Sequence, residues 1–393
     1  PEASASTNSA TWAWAGRSGA PELVGTSPFV NLIRVVSEAD VTFGCFSLAG
    51  RLIIPTEQNE HDGTGEQGRK APMRGLVTIF GGPGFVGRYA TRELASRGWR
   101  VRAASRRPDL AGHLQPMGAV GQVHGVQANL RYPKSVARAV EGADAVVNAV
   151  GVLAPAGRQS FEALHIDGPR AVAKAAREAG VGRLVHVSAI GADAKSSANY
   201  ARTKAKGEEA VLEEFPSAII LRPSIVFGPE DEFFNRFAGM AQVSPLLPLI
   251  GGGRTRFQPV YVGDLALAIA NVVEGAGESG QIYELGGPAS LSFKQLLDRT
   301  KEWSGRKAGY IGLPFWLAKL QALLTWPFPN SVRPMTVDQV RMLQQDNVVS
   351  DQAKSEGRTL EALGVTAPHT IASIVPAYLE RFKPRGQFAH YRG

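Results

Sequence analysis

From residue 76 onward, short runs of β-branched and apolar residues alternate with segments whose apolar positions recur every three to four residues. The runs predict strands at 76–81, 100–105, 121–127, 144–150, 183–188 and 218–222. The periodic segments predict helices at 85–97, 133–141, 160–179 and 199–214. Strands alternating with helices call for a parallel sheet covered on both faces. Right-handed crossovers make such a sheet doubly wound. No internal repeat is visible.

The rhythm breaks after residue 223. Pro245, Pro248 and Gly251 to Gly253 interrupt the pattern, and helices become the main elements. This predicts a smaller, mainly helical C-terminal subdomain over 224–393, with segments returning to the sheet of the domain at 73–223. Phe315 to Trp326 forms a Pro-bounded apolar helix carrying Trp316 and Trp326. Its apolar face either packs in the core or meets a membrane or another subunit. Residues 1–72 lack periodicity and end in the polar run Thr56 to Lys70, and Met73 immediately precedes the first strong strand. The expectation is that folding starts near Met73, with a weakly ordered extension before it. The alternative is a docking arm in which Phe46 to Ile54 forms a strand.

Within the first strand–helix pair lies Gly81-Gly82-Pro83-Gly84-Phe85-Val86-Gly87. Gly82, Gly84 and Gly87 fit G-x-G-x-x-G, and Gly81, Gly84 and Gly87 fit G-x-x-G-x-x-G. A glycine pattern alone is weak, but strand before and helix after are the context in which it sets a dinucleotide pyrophosphate on a helix N-terminus. Pro83 has no N–H to give a phosphate, so the donors are expected from Gly84, Phe85, Val86 and the next turn.

The second strand ends at Ser105, Arg106 and Arg107, where an NAD-binding chain places an acid on the ribose 2′-hydroxyl. Guanidinium in that position suits a 2′-phosphate, so NADP(H), that is NADPH in its reduced form, is favoured over NAD(H). Asn129 and Leu130, after the third strand, fall where adenine lies. Asn148, Ala149, Val150 and Gly151 close the fourth strand on the nicotinamide side, and Pro223 and Ile225 follow the sixth. Tyr200 and Lys204 stand four apart, on one helix face. A phenol with a pKa of about 10 is a poor base at neutral pH, but a neighbouring ammonium stabilises its phenolate. The pair can then move a proton beside a carbonyl or alcohol during hydride transfer, while the lysine holds the nicotinamide ribose. Ser188, at the end of the fifth strand, either shares the substrate oxygen or only caps local structure.

Composition trims the alternatives. The chain has 393 residues, 44% of them hydrophobic, with a net charge of +8. That charge suits a phosphorylated cofactor, anionic lipid or acidic partners; no basic-aromatic stripe points to nucleic acid. No apolar run reaches the roughly 18 residues of a membrane span. Cys45 is the single cysteine, which removes internal disulfides and multi-cysteine metal sites. The histidines have no metal-ligand spacing, and neither Gly-x-Ser-x-Gly nor a P-loop occurs.

Together these residues resemble the extended or atypical branch of the short-chain dehydrogenase/reductase superfamily, whose members share a Rossmann sheet. The resemblance runs over about 76–290, from the glycine loop through Tyr200 and Lys204 to Gln258-Pro-Val-Tyr-Val-Gly-Asp264. A narrower one, over roughly 73–388, rests on four further segments. They are Tyr200 to Gly207, Phe227 to Phe237, Thr336-Val-Asp-Gln-Val-Arg-Met-Leu-Gln-Gln-Asp-Asn347, and Tyr378 to Phe388. They look like the NADPH-binding accessory subunits of respiratory complex I and their alphaproteobacterial relatives. That resemblance implies a nucleotide held for structure without turnover and neighbouring subunits near the quinone-reducing arm. It also implies a peripheral place on the cytoplasmic face of a bacterial inner membrane, or on the matrix side in a mitochondrion. Retention of both Tyr200 and Lys204 leaves two roles open, proton transfer or holding the ribose. Ser188 is followed by Ala189-Ile190-Gly191 and not by the Ser/Thr-rich turn common in active members. A free-standing NADPH-dependent reductase, epimerase or dehydratase, with quinone metabolism as one setting, is the alternative.

Overall fold

The computed structural model describes residues 74–325 and 335–384; the expectations for 1–72, for Trp326 and for the end of the Tyr378 to Phe388 segment lie outside them. Seven strands build the central sheet: β1 (Leu76–Phe80), β2 (Arg100–Ser105), β3 (Val123–Gln127), β4 (Ala145–Asn148), β5 (Arg183–Val187), β6 (Ile219–Pro223) and β7 (Ile282–Leu285). Their spatial order is β7-β6-β5-β4-β1-β2-β3, and every neighbouring pair is parallel. The order reverses between β1 and β4. Such a switch point opens a crevice at the carboxyl ends of the strands.

Both faces of the sheet are covered. Val77, Ile79, Val101 and Ala103 pack against Ala90 and Leu94 of α1 (Phe85–Ser96) and Leu265 and Ile269 of α6 (Val262–Val273). The other face meets α2 (Pro133–Val140), α3 (Gly168–Glu178) and α4 (Asn199–Glu214), through Val136, Val172 and Val211 among others. Thr78, fully buried in β1, satisfies its hydroxyl on the Ala139 carbonyl at 2.7 Å. This is the doubly wound fold expected from the alternation. The sixth predicted strand is not the last, because β7 returns from the irregular half of the chain.

The predicted helix at 160–179 divides. A π-helical turn, Ala163–Asp167, precedes α3. Pro169 cannot donate to the His165 carbonyl, so the α-helical ladder is broken there. Gly207 of α4 lies against that carbonyl: a Cβ at Gly207 would fall 1.8 Å from the His165 oxygen.

The helical subdomain gathers around phenylalanines. Phe227, Phe234, Phe237, Phe257 and Phe293 form one buried cluster with Val375 and Leu379. They join α5 (Phe234–Val243), α7 (Phe293–Ser304) and α11 (Ile371–Leu379). Asp231 ties two distant segments, accepting from the Gly228 and Phe234 N–H groups and from the Tyr378 hydroxyl. Helix α8 (Phe315–Leu324) buries only Ala318 and Ala322. Trp316, Leu320, Leu323 and Leu324 face outward, while Phe315, partly buried, packs against Ile250, Ala318 and Val340. The remaining helices are α9 (Val337–Met342) and α10 (Asp351–Ser355). No helix among the described residues is long and apolar enough to cross a membrane.

Candidate functional site

The crevice begins at the glycine loop. Gly81 has φ +80°, a conformation that only glycine adopts without strain. Gly87 lies so close beneath it that a Cβ would sit 2.1 Å from the Gly81 carbonyl oxygen. Gly84 is the N-cap of α1, and its N–H donates to the Gly81 carbonyl at 2.8 Å. That donor is therefore spent inside the turn, contrary to the expectation. Phe85 and Val86 open the helix, where N–H groups lack intrahelical acceptors and the dipole favours an anion. Ala149 and Val150 border the loop from β4: a Cβ at Gly81 would lie 3.2 Å from both the Ala149 oxygen and Val150 Cγ2.

At the end of β2 the three expected residues part company. Arg107 is exposed and bound to Asp109 through contacts of 2.8–3.2 Å. Ser105 and Arg106 stay at the site, joined by a residue the sequence argument did not pick, Arg131. The Ser105 hydroxyl and Arg131 Nε are buried without a hydrogen-bond partner among the described residues. Burial, and then the Arg131 charge, push the Arg106 guanidinium below its ordinary pKa. Two like charges with no carboxylate between them among the described residues, beside an orphaned hydroxyl, could hold a dianion. Asn129, next to them, uses its side chain to hold the Arg131 N–H at 3.1 Å. Leu130 is buried in the core cluster under this edge.

Across the switch point α4 presents Tyr200 and Lys204. Lys204 is almost wholly buried, and its Nζ donates to the Val187 carbonyl at 3.2 Å. A Cβ at Gly151 would come 3.3 Å from that Nζ, which places the lysine beside the loop after β4. Burial lowers the Lys204 pKa to about 8, against an opposing pull from Glu208. Tyr200 lies edge-on to Phe161 and His165, and burial raises its pKa to about 12. The expected depression of the phenol is not what the environment produces: removal from water dominates, and the neutral phenol is favoured.

Ser188 points elsewhere. Its hydroxyl donates to Glu208 Oε1, and Glu208 is gripped by Arg222 through Nε at 3.0 Å and Nη2 at 2.5 Å. Pro223 ends β6 beside this arginine, and Ile225 packs against the phenylalanine cluster while its carbonyl accepts from Val260. Below the pair lie two buried histidines. His186 Nδ1 meets the Asn148 amide at 3.1 Å, and His165 receives the Val152 N–H at 3.2 Å. No group of metal-ligating residues occurs among the described residues.

The sequence profile of the NAD dependent epimerase/dehydratase family matches residues 77–286. The chain belongs to this family. Within it, the chain is 36% identical over 301 residues to the mitochondrial NADH dehydrogenase (ubiquinone) 1 alpha subcomplex subunit 9 of Arabidopsis thaliana. That match covers 73% of this chain and 74% of the relative. It is also 36% identical over 193 residues to a ceramide reductase of Caulobacter vibrioides, covering 49% of this chain and 59% of that one. Among solved structures, an Escherichia coli NADPH-dependent quinone oxidoreductase in complex with NADPH superposes with a TM-score of 0.60 at 22% identity. It covers 77% of this chain and 99% of that one; at that identity the likeness is one of fold.

In this epimerase/dehydratase family member, sequence reasoning missed Arg131, Glu208 and Asp338. Arg131 adjoins Asn129 and Leu130, and a second cation after β3 was a readable signal. Glu208 repeats the four-residue step from Lys204. Asp338 sits in the Thr336 to Asn347 segment quoted above, but nothing local marks it as the residue that accepts from the first turn of α4.

Proposed function

We propose that the chain is an NADP(H)-dependent oxidoreductase of the extended short-chain dehydrogenase/reductase type, reducing a carbonyl group. One observation carries this: a neutral Tyr200 and a deeply buried Lys204 face the cleft from one side of α4, opposite an anion site that suits a 2′-phosphate. Burying an ammonium against a single carbonyl is costly and serves no packing need, which supports a functional lysine. Phe85 and Val86 would hold the pyrophosphate, Ser105, Arg106 and Arg131 the 2′-phosphate, and Lys204 the nicotinamide ribose. The bound nicotinamide supplies a hydride. Tyr200 gives its phenolic proton to the carbonyl oxygen, and the Lys204 ammonium steadies the phenolate left behind. With Ser188 committed to Glu208, the carbonyl is polarised by Tyr200 alone.

The test is Tyr200→Phe. NADPH oxidation with a panel of quinones and long-chain ketones should fall at least about a hundredfold, with NADPH affinity within about threefold of wild type. Undiminished oxidation by Tyr200→Phe rejects the mechanism.

A second reading has its own support. The engagement of Ser188 by Glu208, and the similarity to subunit 9 over three quarters of the length, favour a nucleotide held for structure within a complex I-type NADH:quinone oxidoreductase. The outward apolar face of α8 suits a neighbouring subunit or the membrane surface. Copurification with that complex after mild detergent extraction, with about one NADP(H) per chain that survives dialysis, is its expected result. A free protein with exchangeable nucleotide contradicts it.

A further inference from the structure

Helix α4 starts without a cap of its own. Ala198 occupies the N-cap position and has no side chain that can accept a hydrogen bond. The cap comes instead from Asp338, 138 residues from Tyr200 along the chain: its Oδ1 accepts the Asn199 N–H at 2.6 Å and its Oδ2 the Tyr200 N–H at 2.8 Å. Both carboxylate oxygens are thus spent on the first turn of the helix that carries Tyr200 and Lys204.

Asp338 is itself fixed. Helix α9 opens with a capping box between Thr336 and Gln339. Val340 is fully buried and packs with Ile250 and Ala318. Arg341 donates to the Ser197 carbonyl at 3.2 Å, just before α4. Further along the same segment, the Asn347 amide nitrogen donates to the Ile190 carbonyl at 3.0 Å, and its oxygen accepts from Ser224 at 2.7 Å. Residues 336–347 therefore form a strap that touches the start of α4, the loop after β5 and the loop after β6. All three border the nicotinamide side of the cleft. This is one of the segments singled out in the sequence, and the chemistry above gave it no role.

We propose that Asp338 is a positioning residue that sets Tyr200 and Lys204 by capping their helix from the C-terminal subdomain. The strap thereby couples that subdomain to the nicotinamide half of the cofactor site alone. The proposal rests on the reading of the cleft as an NADP(H) site. It predicts an effect divided between the two halves of the ligand. Adenosine 2′,5′-bisphosphate carries the adenine and 2′-phosphate but no nicotinamide ribose, so it reports only on the arginine end.

The experiment uses the full chain with Asp338→Ala and Asp338→Asn. NADPH and adenosine 2′,5′-bisphosphate are each titrated, and amide hydrogen exchange is measured over α4. For Asp338→Ala the expected result is about five- to tenfold weaker NADPH binding, the scale of a lost cap. Affinity for the bisphosphate is unchanged, and exchange is faster at Asn199 to Lys204. Asp338→Asn, which keeps one acceptor, should recover part of the NADPH affinity. Unchanged NADPH affinity in Asp338→Ala overturns the proposal. So does an equal loss for both ligands, which marks general loosening. If wild type binds neither ligand, the cofactor reading fails, and exchange at Asn199 and Tyr200 still decides whether Asp338 holds the helix.

Discussion

Arg106 and Arg131 share a site with no counter-charge among the described residues, whereas Arg107, next in sequence to Arg106, is neutralised by Asp109. Arg131→Ala should therefore weaken NADPH by about ten- to a hundredfold, the worth of charge-assisted bonds to a phosphate. Arg107→Ala should leave it unchanged. Equilibrium titration of both variants checks this, and a larger loss from Arg107 would reverse the assignment. The histidines give a pH signature. Burial, with the nearby Lys204 charge, lowers His165 to about 2 and His186 to about 3, against about 6.5 in the unfolded chain. Between those values the unfolded state binds the protons. Stability is thus full above about pH 6.5 and declines below it, by about 1 kcal/mol per histidine per pH unit. Chemical denaturation at pH 7.5 and 5.5 should show that fall, and a flat profile would contradict it. Tyr200 and Lys204 were legible because a helix face repeats every four residues. The partner of Ser188 was not, because Glu208 reaches it only once α4 has docked on β5.

Elements were legible where local pattern and tertiary role agree. Strands β1, β2 and β6 and helices α1, α2 and α4 fall within two residues of their expected limits, because each alternation of period is also a change of layer. The helix at 160–179 was not, since its division depends on Pro169 and on the approach of Gly207 from α4. Gly207→Ala tests that contact: the Cβ would meet the His165 carbonyl and force the helices apart, at about 1–3 kcal/mol. Thermal or urea denaturation measures the loss, and full retention of stability would show that the approach is not close. Helix α8 taught the opposite lesson. Its apolar sequence left core and surface both open, and the ten-residue helix lies on the surface, seated through Ala318, Ala322 and Phe315.

At the scale of the molecule, the doubly wound parallel sheet and its nucleotide-binding loop followed from strand–helix alternation and one glycine cluster, while the strand order came from the structure. The presence of a smaller, mainly helical C-terminal subdomain was legible too, but its internal arrangement was not, because that rests on contacts between residues far apart: the phenylalanine cluster, Asp231 with Tyr378, and the strap that caps α4. Of these, the strap is what joins the subdomain to the cofactor cleft. The central claim is that this cleft selects a nucleotide bearing a 2′-phosphate. Titration of the full chain with NADPH and with NADH at low salt tests it most directly. The account predicts NADPH binding tighter by about ten- to a hundredfold, with the advantage shrinking as salt is raised; equal affinity for the two nucleotides would contradict it.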